Sequence, residues 1–114
     1  MKKIPTKFKG LILIENLKFN DSRGYFKEIY KKKLVKKINL NFWCMSKSKK
    51  NVLRGLHLQL KNPQDKYISV VKGKIFDIVL DLRSNSSTFG KYYKVELSEK
   101  NCRSLFIPAG FAHG

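Results

Sequence analysis

Two histidines, His57 and His113, are the residues of this 114-residue chain best suited to move a proton near neutral pH. His57 lies in N-V-L-R-G-L-H-L-Q, Asn51–Gln59. There a guanidinium (Arg54), a glycine (Gly55) and an imidazole interrupt an otherwise apolar run. Such groups are costly inside a strand unless something uses them. If Val52–Leu60 is a strand, His57 and Gln59 share one face, and Leu56, Leu58 and Leu60 share the other. The apolar face then packs on a second sheet, and the polar face meets solvent or a cavity. Arg54 has the wrong parity for the His57 face, and a bulge at Gly55 would correct it. A candidate general base at His57 stands beside the plainer alternative of a surface His next to a surface Gln.

Other residues could complete such chemistry. Lys66, at the start of a strand, could stabilise an enolate or a phosphate electrostatically, or simply be solvated. Asp77 and Asp81 share strand parity with Ile75, Val79 and Arg83. They could orient a base, or Asp81 and Arg83 could form a structural pair at the strand end. The run Asp21-Ser-Arg23-Gly24-x-Phe26-x-Glu28 sets Arg23 and Glu28 where both could point from a strand edge into a site. The segment Ile107-Pro-x-Gly110-x-x-His113 resembles a metal-ligand segment of cupin-type jelly rolls. A cupin metal site also needs H-x-H and a Glu earlier in the chain. That place reads His57-Leu-Gln59 with no suitable Glu after it, so no metal is expected.

The elements that must position these residues are short and β-rich. Leu11–Leu17, Tyr25–Tyr30, Leu40–Met45, Val52–Leu60, Tyr67–Val71, Ile75–Leu82, Tyr92–Leu97 and Ser104–Ile107 read as strands. Tyr67–Val71 and Ile75–Leu82 flank K-G-K, a tight turn, and together predict a hairpin. Lys31–Ile38 is the best helix candidate, with Leu34, Val35 and Ile38 at helical spacing. About eight strands separated by turn signals predict an all-β sandwich or small barrel in a single domain over residues 1–114.

Composition narrows the function classes. The net charge of +17 first suggests nucleic acid, yet 21 of the 25 basic residues are Lys and only four are Arg. Nucleic-acid readers lean on Arg for bidentate contacts, so the excess is better read as a solvated surface that also attracts an anionic small molecule. Cys44 and Cys102 form no C-x-x-C pair, which fits a reducing cytoplasm rather than a disulfide scaffold. The apolar run Leu11–Ile14 is too short for a signal peptide, and no stretch approaches the about 20 apolar residues of a membrane span.

Five segments carry a resemblance together that none carries singly. They are D-S-R-G-Y-F-K-E (Asp21–Glu28), S-K-S-K-K-N-V-L-R-G-L-H-L-Q (Ser46–Gln59), V-K-G-K-I-F-D-I-V-L-D-L-R (Val71–Arg83), S-S-T-F-G (Ser86–Gly90) and I-P-A-G-F-A-H-G (Ile107–Gly114). In this order they resemble the dTDP-4-dehydrorhamnose 3,5-epimerases. The resemblance implies a jelly-roll barrel of the cupin superfamily, working without cofactor or metal, and a homodimer. It implies a dTDP-4-keto-6-deoxyhexose substrate, epimerised at C3 and C5 in dTDP-L-rhamnose biosynthesis. On it, His57 is the base and Lys66 stabilises the enolate oxygen. Arg54 and His113 position sugar and diphosphate. Arg23, Phe26, Glu28 and Gln59 fall at further substrate-binding positions, with Arg23 and Glu28 reaching the neighbouring subunit's site.

The chain departs from that pattern in two places. Family members commonly carry Gln-x-Asn before the S-x-S turn, where this chain has Phe42 and Cys44. Family chains also continue past F-A-H-G, so the resemblance implies a barrel incomplete at the C-terminus. The general acid and the carboxylate that orients the base would lie in that continuation. Two alternatives stay open: a related 3- or 5-epimerase or ketoisomerase, and a non-catalytic basic module that binds nucleotide sugars.

Overall fold

The computed structural model describes residues 1–35 and 40–114. Among these residues nine strands form in chain order: β1 (Lys2–Pro5), β2 (Ile12–Glu15), β3 (Lys18–Asp21), β4 (Gly24–Lys27), β5 (Lys66–Ser69), β6 (Lys74–Asp81), β7 (Tyr92–Ser98), β8 (Arg103–Ile107) and β9 (Phe111–His113). They make a four-stranded sheet β1-β2-β8-β5, a three-stranded sheet β7-β6-β9 and a separate β3-β4 hairpin. Every pairing is antiparallel.

Alternation decides which face each residue joins. Leu13 on β2 and Leu105 and Ile107 on β8 point one way. Val79 on β6, Val95 and Leu97 on β7, and Phe111 on β9 meet them from the other sheet. Phe8 and Leu11, from the β1–β2 connection, fill the same core. Each large apolar side chain buried there contributes roughly 1.5–3 kcal/mol. The outer face of the four-stranded sheet carries a second cluster, in which Val35 packs with Ile14 and Phe106. Two antiparallel sheets packed face to face, with sequence neighbours β5 and β6 in different sheets, give the all-β jelly roll that the strand pattern predicts.

Four local expectations are corrected. The helix over Lys31–Ile38 is a single 3-10 turn, Lys32–Leu34, and Lys36, Lys37 and Ile38 lie outside the described residues. Three consecutive lysines at its start repel one another, and no side chain caps it. Leu40–Met45 is not a strand: Phe42, Trp43 and Met45 are exposed. Val52–Leu60 is not a strand either, forming one isolated bridge at His57. Its leucines did not find a sheet to cover, and Leu53 and Leu60 are 89% and 82% exposed. A strand exists only with a ladder partner, and β9, three residues long, supplies one rung. Finally, β5 and β6 are not a hairpin. β5 pairs with β8, whereas β6 pairs with β7 and β9. The K-G-K turn passes the chain from one sheet to the other.

These unladdered segments leave a trace in the dimensions. The Cα radius of gyration is 14.5 Å, against about 13 Å for a compact chain of this length.

Candidate active site on the inner face of the three-stranded sheet

The turn Pro108–Gly110 delivers β9 alongside β6, in the register Asp81↔Phe111, Leu80↔Ala112, Val79↔His113. Gly110 is required there. Its φ is +92°, and a Cβ would come 2.6 Å from Arg83 Cγ. Arg83 in turn stacks over Phe111, 4.2 Å from the ring centroid, and donates to the Lys9 carbonyl at 2.8 Å.

The Arg83 guanidinium is held by Asp81, through Nε–Oδ1 at 2.9 Å and Nη2–Oδ2 at 2.7 Å. The fully buried Asp81 carboxylate also accepts the Ser86 and Thr88 hydroxyls, each at 2.6 Å, and the Arg83 backbone N–H at 3.1 Å. The Arg83 hydrogen bonds, followed by the two hydroxyls, hold its pKa well below the usual carboxylate range against desolvation. So many partners make Asp81 a structural group, the plainer of the two readings open for Asp81 and Arg83.

On the far side of β9, His57 joins the sheet. Its N–H donates to the His113 carbonyl at 2.9 Å, and the His113 N–H donates to the His57 carbonyl at 3.2 Å. On the other side of β9, Gly114 extends the ladder with β6 by exchanging hydrogen bonds with Ile78 at 2.8 and 3.1 Å. Directly opposed antiparallel residues share a face. By register Tyr93, Val79, His113 and His57 form one row across the sheet, in which Val79 is buried in the core, His113 is part-buried and His57, at the end of the row, is exposed. Gly55 permits the approach. Its φ is +93°, and a Cβ there would lie 2.7 Å from the His113 carbonyl oxygen.

Asp77 precedes Val79 by two and shares this face. Its carboxylate is 3.3 Å from His113 Nδ1, with side-chain exposures of 3% for Asp77 and 18% for His113. Parity alone placed Asp77 on the right face. What local sequence lacks is the pairing that brings it to His113, 36 residues on.

Lys66, opposite Ile107 in β5, sits on the inner face of the other sheet with Ile68 and Leu105. Its ammonium makes no hydrogen bond or ion pair among the described residues.

The remaining candidates lie elsewhere. Arg54 is exposed and donates to Ser48 Oγ at 2.8 Å and the Lys47 carbonyl at 3.2 Å, and Gln59 donates to the Asn62 carbonyl at 3.0 Å. Arg23 and Phe26 are exposed on the β3-β4 hairpin, where Asp21 holds Arg23 at 2.8 Å. Glu28 follows that hairpin, 3.5 Å from Lys31, with Oε2 enclosed and unpartnered among the described residues. No hydrogen bond links any of these five to His57 or His113 among the described residues. Among the described residues no tyrosine hydroxyl is hydrogen-bonded to His57: Tyr67 donates to the Ile29 carbonyl at 2.8 Å, Tyr92 is exposed, and Tyr93 packs on Phe8. Among the described residues, no three His, Cys, Asp or Glu side chains converge as a metal site.

A jelly roll that bridges an exposed His57 to the part-buried His113 at the edge of its three-stranded sheet defines a cupin-like fold class. Comparison with known proteins sharpens it. Residues 5–114 match the family model for dTDP-4-dehydrorhamnose 3,5-epimerase. A relative of that name from Methanothermobacter thermautotrophicus is 44% identical over 97% of this chain and 62% of its own. The crystal structure of the Elizabethkingia anophelis enzyme superposes with a TM-score of 0.84 at 44% identity, covering 99% of this chain and 65% of that one. The Legionella pneumophila enzyme, solved with dTDP-4-keto-L-rhamnose, gives a TM-score of 0.86 at 38% identity, over 98% and 62%. The chain belongs to the dTDP-4-dehydrorhamnose 3,5-epimerase family, and it spans a little over three fifths of the length of these relatives.

Proposed function

We propose that this chain acts on a dTDP-4-keto-6-deoxyhexose, with His57 as the base that removes the protons on C3 and C5, in the formation of dTDP-4-keto-L-rhamnose. The observation that carries this is the antiparallel bridge that sets His57 beside His113, in a chain whose family is named for that reaction. The C4 ketone makes the step possible. The C–H bond breaks, its proton passes to the His57 imidazole, and its electron pair moves into an enolate on the C4 oxygen. Lys66 supplies positive charge to that oxygen from the facing sheet. Arg54, Gln59, Arg23, Phe26 and Glu28 bind the nucleotide sugar, with Arg23 and Glu28 serving the site of a second copy. The exposed β3-β4 hairpin, apolar at Phe19, Tyr25 and Phe26, supports a homodimer. Unpaired Cys44 and Cys102 support a cytoplasmic setting, and no helix among the described residues is long and apolar enough to cross a membrane.

Phe42 and Cys44, where the family carries Gln and Asn, favour a second reading in which only one carbon is epimerised. The test is deuterium wash-in from D2O into dTDP-4-keto-6-deoxyglucose, followed by proton NMR. Exchange needs the base and the enolate but no acid on the opposite face, so it isolates what these residues do. Loss of both the C3 and C5 signals supports the first reading, and loss of one supports the second. Binding of dTDP with no exchange leaves a non-catalytic nucleotide-sugar module.

A further inference from the structure

The two buried aspartates of β6 are in opposite situations. Asp81 is saturated by Arg83, Ser86 and Thr88. Asp77 is 2% exposed among Val79 and Val95, and His113 is its one side-chain partner among the described residues. Placing a carboxylate there costs several kcal/mol in solvation, which an apolar residue would avoid, and one contact at 3.3 Å offsets only part of it. The contact does fix a ring. Nδ1 faces the carboxylate, so Nε2 lies on the other edge of an imidazole whose backbone is pinned to His57 and adjoins Val79.

We propose that Asp77 is a positioning residue for His113. It accepts the Nδ1–H, holds the ring in that tautomer, and leaves the Nε2 lone pair to accept a hydrogen bond on the inner face. An acceptor there suits a sugar hydroxyl and not a phosphate oxygen. His113 therefore recognises the hexose ring beside His57, and the diphosphate is left to the arginines and lysines. The hydroxyl assignment rests on the proposed function, whereas the tautomer assignment stands without it.

Long-range proton–nitrogen NMR of the imidazoles in the 114-residue chain at pH 7.5 reads the tautomer directly. The wild-type His113 is expected with Nδ1 protonated and Nε2 bare. Asp77→Asn, whose amide can donate to Nδ1, is expected to shift the ring to the Nε2–H form and leave His57 unchanged, a response that loss of packing alone would not produce. Addition of a dTDP-hexose is expected to perturb His113 Nε2, whereas inorganic pyrophosphate leaves it unmoved. A wild-type His113 in the Nε2–H form, or protonated on both nitrogens, overturns the proposal even if the variant fails to fold. Pyrophosphate moving Nε2 as much as the sugar overturns the hydroxyl assignment alone. Loss of epimerase chemistry with the tautomer intact would count against the proposed function and not against Asp77.

Discussion

His57 and His113 are opposed residues of one antiparallel bridge, each donating its backbone N–H to the other's carbonyl, at 2.9 and 3.2 Å. This rung joins two segments distant in sequence. It sets an exposed His57 beside His113, which shares the face that Val79 and Phe111 carry into the core.

The rung depends on Gly55. Any side chain there meets the His113 carbonyl at 2.7 Å and must also adopt a φ of +93°. The left-handed backbone costs about 1–2 kcal/mol before the clash is counted. Gly55→Val is expected to raise amide exchange at His57 and His113 by about tenfold or more, leaving the β6–β7 amides protected. Unchanged protection at both histidines would show that the bridge is not held by this approach.

Asp81 sets the acid limit of the fold. Its folded pKa lies below the unfolded value, so its stabilisation is present above the unfolded pKa of about 3.9 and is lost as pH falls below it. Asp81→Ala is expected to cost roughly 3 kcal/mol at pH 7 by urea denaturation, because it strands the partly buried Arg83. With Asp81→Asn the deficit against wild type should shrink as pH falls from 5 towards 3. A deficit that stays constant over that range would remove the charge from the explanation.

Tyr67 sets a corresponding limit on the alkaline side. Burial raises its phenol pKa, and its hydroxyl donates to the Ile29 carbonyl. A neutral phenol held in the fold adds stability that is full below the unfolded pKa of about 10 and declines as pH rises above it. Tyr67→Phe is expected to cost about 1 kcal/mol at neutral pH and to flatten that alkaline decline. An unaltered decline would assign it to another group.

The sequence was legible where the periodicity ran long. β6 alternates in burial from Asp77 onward, and parity put Asp77, Val79 and Asp81 on one face before any pairing was known. It was illegible where partners are distant. Gly73 announces a turn but says nothing about the sheet the chain enters next. The leucines of 52–60 alternate as a strand would, yet among the described residues the segment's one rung is with β9. β9 itself, three residues after Pro108 and Gly110, is too short to show a period. His57 stood out as a residue type, but His113's carboxylate became visible only once β9 lay against β6.

Arg23 separates binding from folding. It is almost wholly exposed, with Asp21 as its partner, so Arg23→Ala is expected to leave the urea midpoint unchanged. In the proposed homodimer the same change should weaken dTDP binding severalfold by calorimetry. Equal affinity in the two proteins would take Arg23 out of the site.

The most direct test of His57 as base is deuterium wash-in with His57→Ala. Incubated in D2O with dTDP-4-keto-6-deoxyglucose, the wild-type chain is expected to exchange the C3 and C5 protons. The variant should lose that exchange by a factor of about 100 or more while still binding dTDP. Exchange at the wild-type rate in the variant would contradict the assignment of His57.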